Sequence, residues 1–127
     1  METAKEIANI QKNYNYPIAV DAPAGKNMPK RIINIASIMK GWSMGGVIQS
    51  SDPDVLKAIK RSNISISAYQ DLIDFGNKQK TNRTYTEIIL GLPSDTKERH
   101  FESLRLGVEK SVNNLRMHQA MLLTGTE

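Results

Sequence analysis

Apolar residues along this chain switch repeatedly between helical and strand spacing, and that alternation constrains the fold more than any other feature. From Glu2 to Asn13, Ala4, Ile7, Ala8 and Ile10 form the i, i+3, i+4 stripe of a helix. Tyr16 to Ala22 is short and apolar and runs into Pro23 and Gly25, the signature of a buried strand. Pro29 suits a first helical turn and precedes Ile32, Ile33, Ile35, Ala36 and Met39, with Gly41 as the stop. Trp42 to Gln49 reads as the second strand. Ser50-Ser51-Asp52-Pro53 is then a helix start leading into Val55, Leu56 and Ile59. Ser67-Ala68-Tyr69-Gln70 has the capping-box form and opens a predicted helix carrying Leu72, Ile73 and Phe75. Tyr85 to Leu90 is the third predicted strand, closed by Gly91-Leu92-Pro93. Asp95 with Glu98 is predicted to cap a helix carrying Phe101, Leu104, Val108 and Val112, and Leu115 to Leu123 is the fourth strand.

Strands that are apolar on both faces and alternate with helices imply a parallel sheet with right-handed crossovers, so the chain reads as α/β throughout. Its 127 residues suit one domain, and no linker or low-complexity segment divides them. The chain opens on a helix with no strand before it and stops just after a strand, so both ends read as cut. No apolar run approaches the ~18 residues of a membrane helix, and the start is no signal peptide, which makes the cytoplasm the expected location. The net charge of +4 is dispersed and aromatics are 6%, so nucleic-acid binding is permitted but nothing argues for it. The absence of cysteine excludes disulfides, thiolate metal sites and a cysteine nucleophile.

Ligands of parallel α/β sheets sit at the carboxyl ends of strands. There this sequence offers Asp21, Gln49-Ser50-Ser51, Glu87, Gly91-Leu92-Pro93 and the Leu122–Thr126 segment. Hydrogen-bonding side chains, a helix start and two glycine approaches suit a nucleoside-like ligand better than a metal. Each feature also has a plainer role. Ser50, Ser51 and Asp52 would serve equally to cap a helix, Arg61 would complement a helix C-terminus, and Gly91 and Gly125 would serve turns. Glu87 on a buried strand requires a partner. His100 is expected on a solvated helix face, and His118 on the last strand points to either the core or the barrel interior. Two isolated histidines form neither a zinc nor a triad pattern.

Taken together, the segments are more specific. The run from Gly46 to Arg61 (Gly-Val-Ile-Gln-Ser-Ser-Asp-Pro-Asp-Val-Leu-Lys-Ala-Ile-Lys-Arg) resembles the fourth-strand region of radical S-adenosylmethionine (radical-SAM) enzymes. Glu87-Ile-Ile-Leu-Gly-Leu-Pro-Ser-Asp-Thr96 resembles the family's fifth strand with its Gly-Leu-Pro-Gly-Glu-Thr turn, and Leu122-Leu-Thr-Gly-Thr-Glu127 its sixth strand and Pro-Gly-Thr turn. The closest likeness is to the subgroup that often follows a cobalamin-binding domain. The resemblance implies that Gln49 contacts the ribose or polar tail of S-adenosylmethionine, with Ser50 and Ser51 in the same contact. Arg61 would pair with the methionyl carboxylate through its forked guanidinium. Glu87 would bond the ribose hydroxyls or the amino group, Gly91, Leu92 and Leu122 would line the adenine slot, and Asp21 would be a further ribose contact. Ser94 and Asp95 depart from the family's Gly-Glu.

The resemblance also implies a partial (β/α) barrel fragment, with about four parallel strands and helices on the outer face. Residues 1–127 would be the C-terminal part of the barrel domain. The family's Cys-x-x-x-Cys-x-x-Cys loop, whose thiolates hold a 4Fe-4S cluster, has no counterpart here. The parent would be an iron–sulfur oxidoreductase or methyltransferase that cleaves S-adenosylmethionine reductively to a 5′-deoxyadenosyl radical, and this chain alone is expected to be inert. The cluster would belong to the parent only, and S-adenosylmethionine binding by the fragment would be weak or absent. The expected partners are the missing N-terminal half of the barrel and a second copy of the chain, with no membrane and no nucleic acid. The rival reading is a non-catalytic α/β ligand-binding or interaction module that has lost the cluster.

Overall fold

In the computed structural model, residues 1–22 and 28–121 are described. Its central strand, β2 (Arg83–Leu90), alternates Thr84, Thr86 and Ile88 on one face with Tyr85, Glu87 and Ile89 on the other. It runs parallel to β1 (Ser43–Gly45) on one side, with Ser43 opposite Arg83 and Gly45 opposite Tyr85. On the other side it runs parallel to β3 (Asn114–Gln119), from Tyr85 opposite Asn114 to Leu90 opposite Gln119. The sheet order is β1-β2-β3.

The helices are α1 (Glu2–Tyr14), α2 (Pro29–Ile38), α3 (Pro53–Ala58), α4 (Ile66–Lys78) and α5 (Lys97–Glu109). The Thr84 and Thr86 face meets helices. The Thr84 hydroxyl lies 3.4 Å from Asn77 Oδ1 on α4, and a Cβ on Gly107 of α5 would stand 3.4 Å from the Thr86 methyl. The core gathers Trp42, Met44 and Ile48 with Tyr69, Leu72, Ile73 and Ile88, and continues through Ile32, Ile35 and Ala36 of α2 and Met39 just after it. The α1 helix seals one end through Gln11. Its amide nitrogen donates to the Pro17 carbonyl (2.9 Å) and the Lys40 carbonyl (2.8 Å), and its oxygen accepts from the Lys40 N–H (3.0 Å). Asn82 performs a similar task at the start of β2, accepting from Trp42 N and donating to the Ala36 carbonyl. No helix among the described residues is long and apolar enough to cross a membrane.

Several sequence expectations are corrected. Four strands are expected, and the described sheet has three. Of Tyr16–Ala22, only Val20 pairs, as an isolated parallel bridge to Trp42 through Val20 N–Gly41 O (2.9 Å) and Ser43 N–Val20 O (3.1 Å). Ile18 is 83% exposed, so apolar composition there does not mean burial. Gly41 holds that bridge in place with φ +68, and any Cβ on it would strike the Ile18 carbonyl.

The second strand is also shorter than Trp42–Gln49. After Gly45 the chain leaves the ladder and returns in one bridge, Gln49 to Ile88. Gly46, Val47 and Ile48 then lie opposite only Thr86 and Glu87, which is a bulge, and the Thr86 hydroxyl donates to the Gly46 carbonyl inside it (2.7 Å). Helix caps move as well. Ser65, not Ser67, caps α4 by accepting from Ala68 N (3.2 Å). Thr96, not Asp95, caps α5 by accepting from Arg99 N (3.3 Å). The end of the predicted fourth strand, Leu122 and Leu123, lies outside the described residues.

Candidate functional site

The parallel register sets Glu87 directly opposite Arg116 and Ile89 opposite His118. With period-2 alternation, Tyr85, Glu87, Arg116 and His118 therefore share the sheet face opposite the threonine face that meets α4 and α5. Arg116 is the centre of this group. Its guanidinium carbon is 3.8 Å from the Tyr85 ring centre, Nη2 is 3.0 Å from Asp21 Oδ2, and Nη1 is 3.6 Å from Glu87 Oε1. His118 Nε2 stands 4.0 Å from the same Glu87 oxygen. Glu87 thus has the partner that its place on the strand demands, and His118 faces this group rather than the core. Burial raises the Tyr85 hydroxyl above its ordinary pKa. The negative charges of Glu87 and Asp21 add to the rise, and Arg116 opposes it.

Gln49 stands at the carboxyl end of the β1 segment. Its N–H donates to the Glu87 carbonyl (2.8 Å) and its carbonyl accepts from Ile89 N (2.9 Å). Its φ is 56°, in the left-handed region, and its Oε1 is buried without a hydrogen-bond partner among the described residues. Such an acceptor is costly unless a donor reaches it. The next residues form a tight loop. The Ser50 hydroxyl accepts from Asp52 N (3.2 Å) and lies 3.4 Å from Ser103 Oγ. Ser51 N donates to Ser103 Oγ (2.8 Å), with the two hydroxyls 3.0 Å apart. Asp52 Oδ1 caps α3 by accepting from Asp54 N and Val55 N. The hydroxyls of Ser50 and Ser51 therefore already have partners inside the protein.

Arg61 lies past the end of α3, not on its last turn, and is exposed with no ion-pair partner among the described residues. Asn63 donates to the Ser50 carbonyl (2.8 Å), tying the segment after Arg61 back to the end of β1. Gly91 has φ +80 with open space where a Cβ would be, and the Leu92 carbonyl accepts from Asp95 N (3.0 Å) to close the turn. Gly91 also borders a cavity of about 480 Å³ that it shares with Leu90, His100 and Phe101. Contrary to expectation, His100 is buried, 8% exposed, with Nδ1 3.7 Å from Asp95 Oδ2. Leu122 lies outside the described residues.

The structure thus gathers Asp21 and Glu87 on one guanidinium and bonds Gln49 to Glu87 through the backbone. Sequence reading missed Arg116, Tyr85, Ser103 and Arg99. The first two carried a usable signal, since 85/87 and 116/118 are matching same-face pairs on neighbouring strands. Ser103 and Arg99 carried none.

No family model matches the sequence. The cobalamin-dependent radical SAM methyltransferase TokK of Streptomyces tokunonensis is 33% identical over 102 residues, which span 76% of this chain and 14% of that protein. The chain belongs to the radical-SAM superfamily. Within this superfamily, its likeness is to the cobalamin subgroup. The 2-(S-pantetheinyl)-carbapenam-3-carboxylate methyltransferase of Streptantibioticus cattleyicolor is 31% identical over 102 residues, again 76% of this chain and 14% of the relative. The chain thus spans about a seventh of the length of the curated relatives it matches. In fold it is similar to the radical SAM enzyme coproporphyrinogen III oxidase (HemN) of Escherichia coli, with a TM-score of 0.65 at 16% identity, over 96% of this chain and 29% of that one.

Radical-SAM membership implies a 4Fe-4S cluster. The donors present do not fit one, because the chain has no cysteine thiolate. S-adenosylmethionine is different. The orphaned Gln49 acceptor, the half-buried Glu87 carboxylate and the exposed Arg61 are donors and acceptors of the kinds its ribose, amino and carboxylate groups require.

Proposed function

We propose that this chain supplies part of the S-adenosylmethionine site of a radical-SAM protein, and that the whole protein's reaction is reductive cleavage of that cofactor. The observation that carries the reading is the buried Oε1 of Gln49, without a partner among the described residues and held by backbone bonds beside Glu87 at the end of a parallel strand. A bound nucleoside would supply the missing donor. Glu87 and, more weakly, Asp21 accept from ribose hydroxyls or the amino group, and Arg61 takes the carboxylate in a fork. Gly91 and Leu92 flank the adenine. Ser50 and Ser51 contribute through their loop, since their hydroxyls are engaged with Ser103.

The cluster, held by thiolates outside this chain, would supply the electron for cleavage. This chain's residues bind and orient the cofactor. The rival reading, a non-catalytic module, draws no support from the two methyltransferases it matches. Calorimetric titration of the chain with S-adenosylmethionine tests the proposal. Weak, saturable heat that Gln49→Ala or Glu87→Gln reduces at least several-fold supports it, and identical titration curves for all three proteins would overturn it.

A further inference from the structure

The loop that follows Gln49 is tied to β2 through the backbone of Gln49 and to Asn63 through the Ser50 carbonyl, and α5 fastens it from behind. Ser103 of α5, 1% exposed, accepts from Ser51 N (2.8 Å), shares short contacts with the hydroxyls of Ser50 and Ser51, and donates to the Arg99 carbonyl (3.1 Å). One turn earlier on the same helix, Arg99 forms ion pairs with Asp52 (Nε to Oδ2, 3.3 Å) and Asp54 (Nη2 to Oδ2, 3.0 Å). Its Nη1 donates to the Ser94 carbonyl (3.1 Å). One guanidinium therefore joins the Ser50–Asp54 loop to the Gly91–Asp95 turn. Immediately before the fastened segment, Gln49 sits at φ 56°, a conformation unfavourable for a residue with a side chain, and its side-chain oxygen is buried without a partner among the described residues. A residue in that state persists only where its surroundings over-determine it.

We infer that Ser103 and Arg99 are positioning residues that hold Gln49 in its left-handed conformation, so that its Oε1 is preset to accept from a bound nucleoside. The inference rests on the reading of Gln49 as a contact to S-adenosylmethionine. Neither residue touches the ligand. Ser103 fixes the backbone directly after Gln49, and Arg99 keeps that loop in register with the Gly91–Asp95 turn.

The test is an NMR titration of the full chain with S-adenosylmethionine, with Gln49 observed directly. The unchanged chain should show the strong intraresidue amide-to-Hα cross-peak of a positive φ at Gln49, and saturable shifts at its side-chain amide. Ser103→Ala should lose that cross-peak and weaken binding about tenfold, the scale of one buried hydrogen bond to a binding group. Because Ser103 acts through Gln49, the Ser103→Ala/Gln49→Ala double variant should bind no worse than Gln49→Ala alone. A purely structural serine would give losses that multiply. Arg99→Lys keeps the charge but not the fork, and should give a smaller loss of the same kind. It serves as the deciding variant if Ser103→Ala does not fold. Retention of the positive φ together with multiplying losses would overturn the inference and leave the binding reading standing. No shift at Gln49 in the unchanged chain would overturn both.

Discussion

The guanidinium carbon of Arg116 sits 3.8 Å from the centre of the Tyr85 ring while its nitrogens reach the carboxylates of Asp21 and Glu87. Stacking and forked ion pairing use different parts of one planar group, so a single side chain fixes an aromatic ring and two acids on one face. Removing it leaves the half-buried Glu87 with His118, 4.0 Å away, as its ion-pair partner among the described residues. Arg116→Ala should lower stability by about 1–2 kcal/mol in urea denaturation. Arg116→Lys should recover less than half of that loss, because an ammonium supplies the charge without the planar stack. Full recovery by lysine would mean that charge alone matters there.

Alkaline pH probes the same face. Tyr85 has its pKa raised from 10.0, first by burial and then by Glu87 and Asp21 against the pull of Arg116. Tyr69 is raised by burial, with the Thr86 hydroxyl acting in the opposite sense. A folded-state pKa above the unfolded one gives stability that is complete below about pH 10 and is lost as pH climbs through the folded value. Both tyrosines should therefore ionise late in a 295 nm titration, above the ordinary tyrosine range, and unfolding should accompany them. Tyr85→Phe should flatten the alkaline fall in stability. An unchanged fall in that variant would remove Tyr85 from the explanation.

Backbone strain gives a third measurement. Ser94 has φ 64° in the turn where the family pattern places glycine, and only its carbonyl is used, by Arg99. Ser94→Gly should relieve the strain and raise stability by about 0.5–1 kcal/mol after the added freedom of the unfolded chain is counted. Gly41→Ala should cost more than about 2 kcal/mol, because it combines φ +68 with a clash on the Ile18 carbonyl. Thermal unfolding of the two variants should shift in opposite directions, and a shared direction would refute the strain account.

The parts of the fold legible in the sequence were those fixed by local rules. All five helices were foreseen, because their apolar stripes and proline starts are written within a few residues, although capping shifted by one or two positions where Ser65 and Thr96 reached the free N–H groups first. β2 was foreseen almost to its ends. Strand existence elsewhere was harder to read, because a strand depends on a neighbour. Tyr16–Ala22 has strand composition yet pairs only at Val20, and β1 stops at a bulge that period-2 counting does not show. At the site, the resemblance picked out Gln49 and Glu87. Of the residues around them, Arg116 was legible only through its same-face spacing with His118 matching that of Tyr85 and Glu87, and Ser103 was not legible at all, since it acts through contacts between distant segments (Ser50–Ser103).

From those same unpaired segments we propose that the chain self-associates. Along one side of the sheet Tyr16 and Ile18 are largely exposed beside the single Val20 bridge, and along the other side no described strand pairs with β3, where Met117 and Met121 are exposed. Open ladder edges present unpaired N–H and C=O groups, and exposed apolar side chains next to them favour pairing with another chain. Neither edge carries proline within its pairing residues, and the lysines that blunt such edges are absent from both Ile18–Asp21 and Asn114–Gln119. A two-fold arrangement is the commonest closed way to satisfy such a surface. Light scattering across a concentration series should show a mass rising above 14.2 kDa, and Met117→Lys, which places a charge on the β3 edge, should return it toward the single-chain value. A mass that stays at 14.2 kDa at high concentration would show that the chain satisfies both edges by itself.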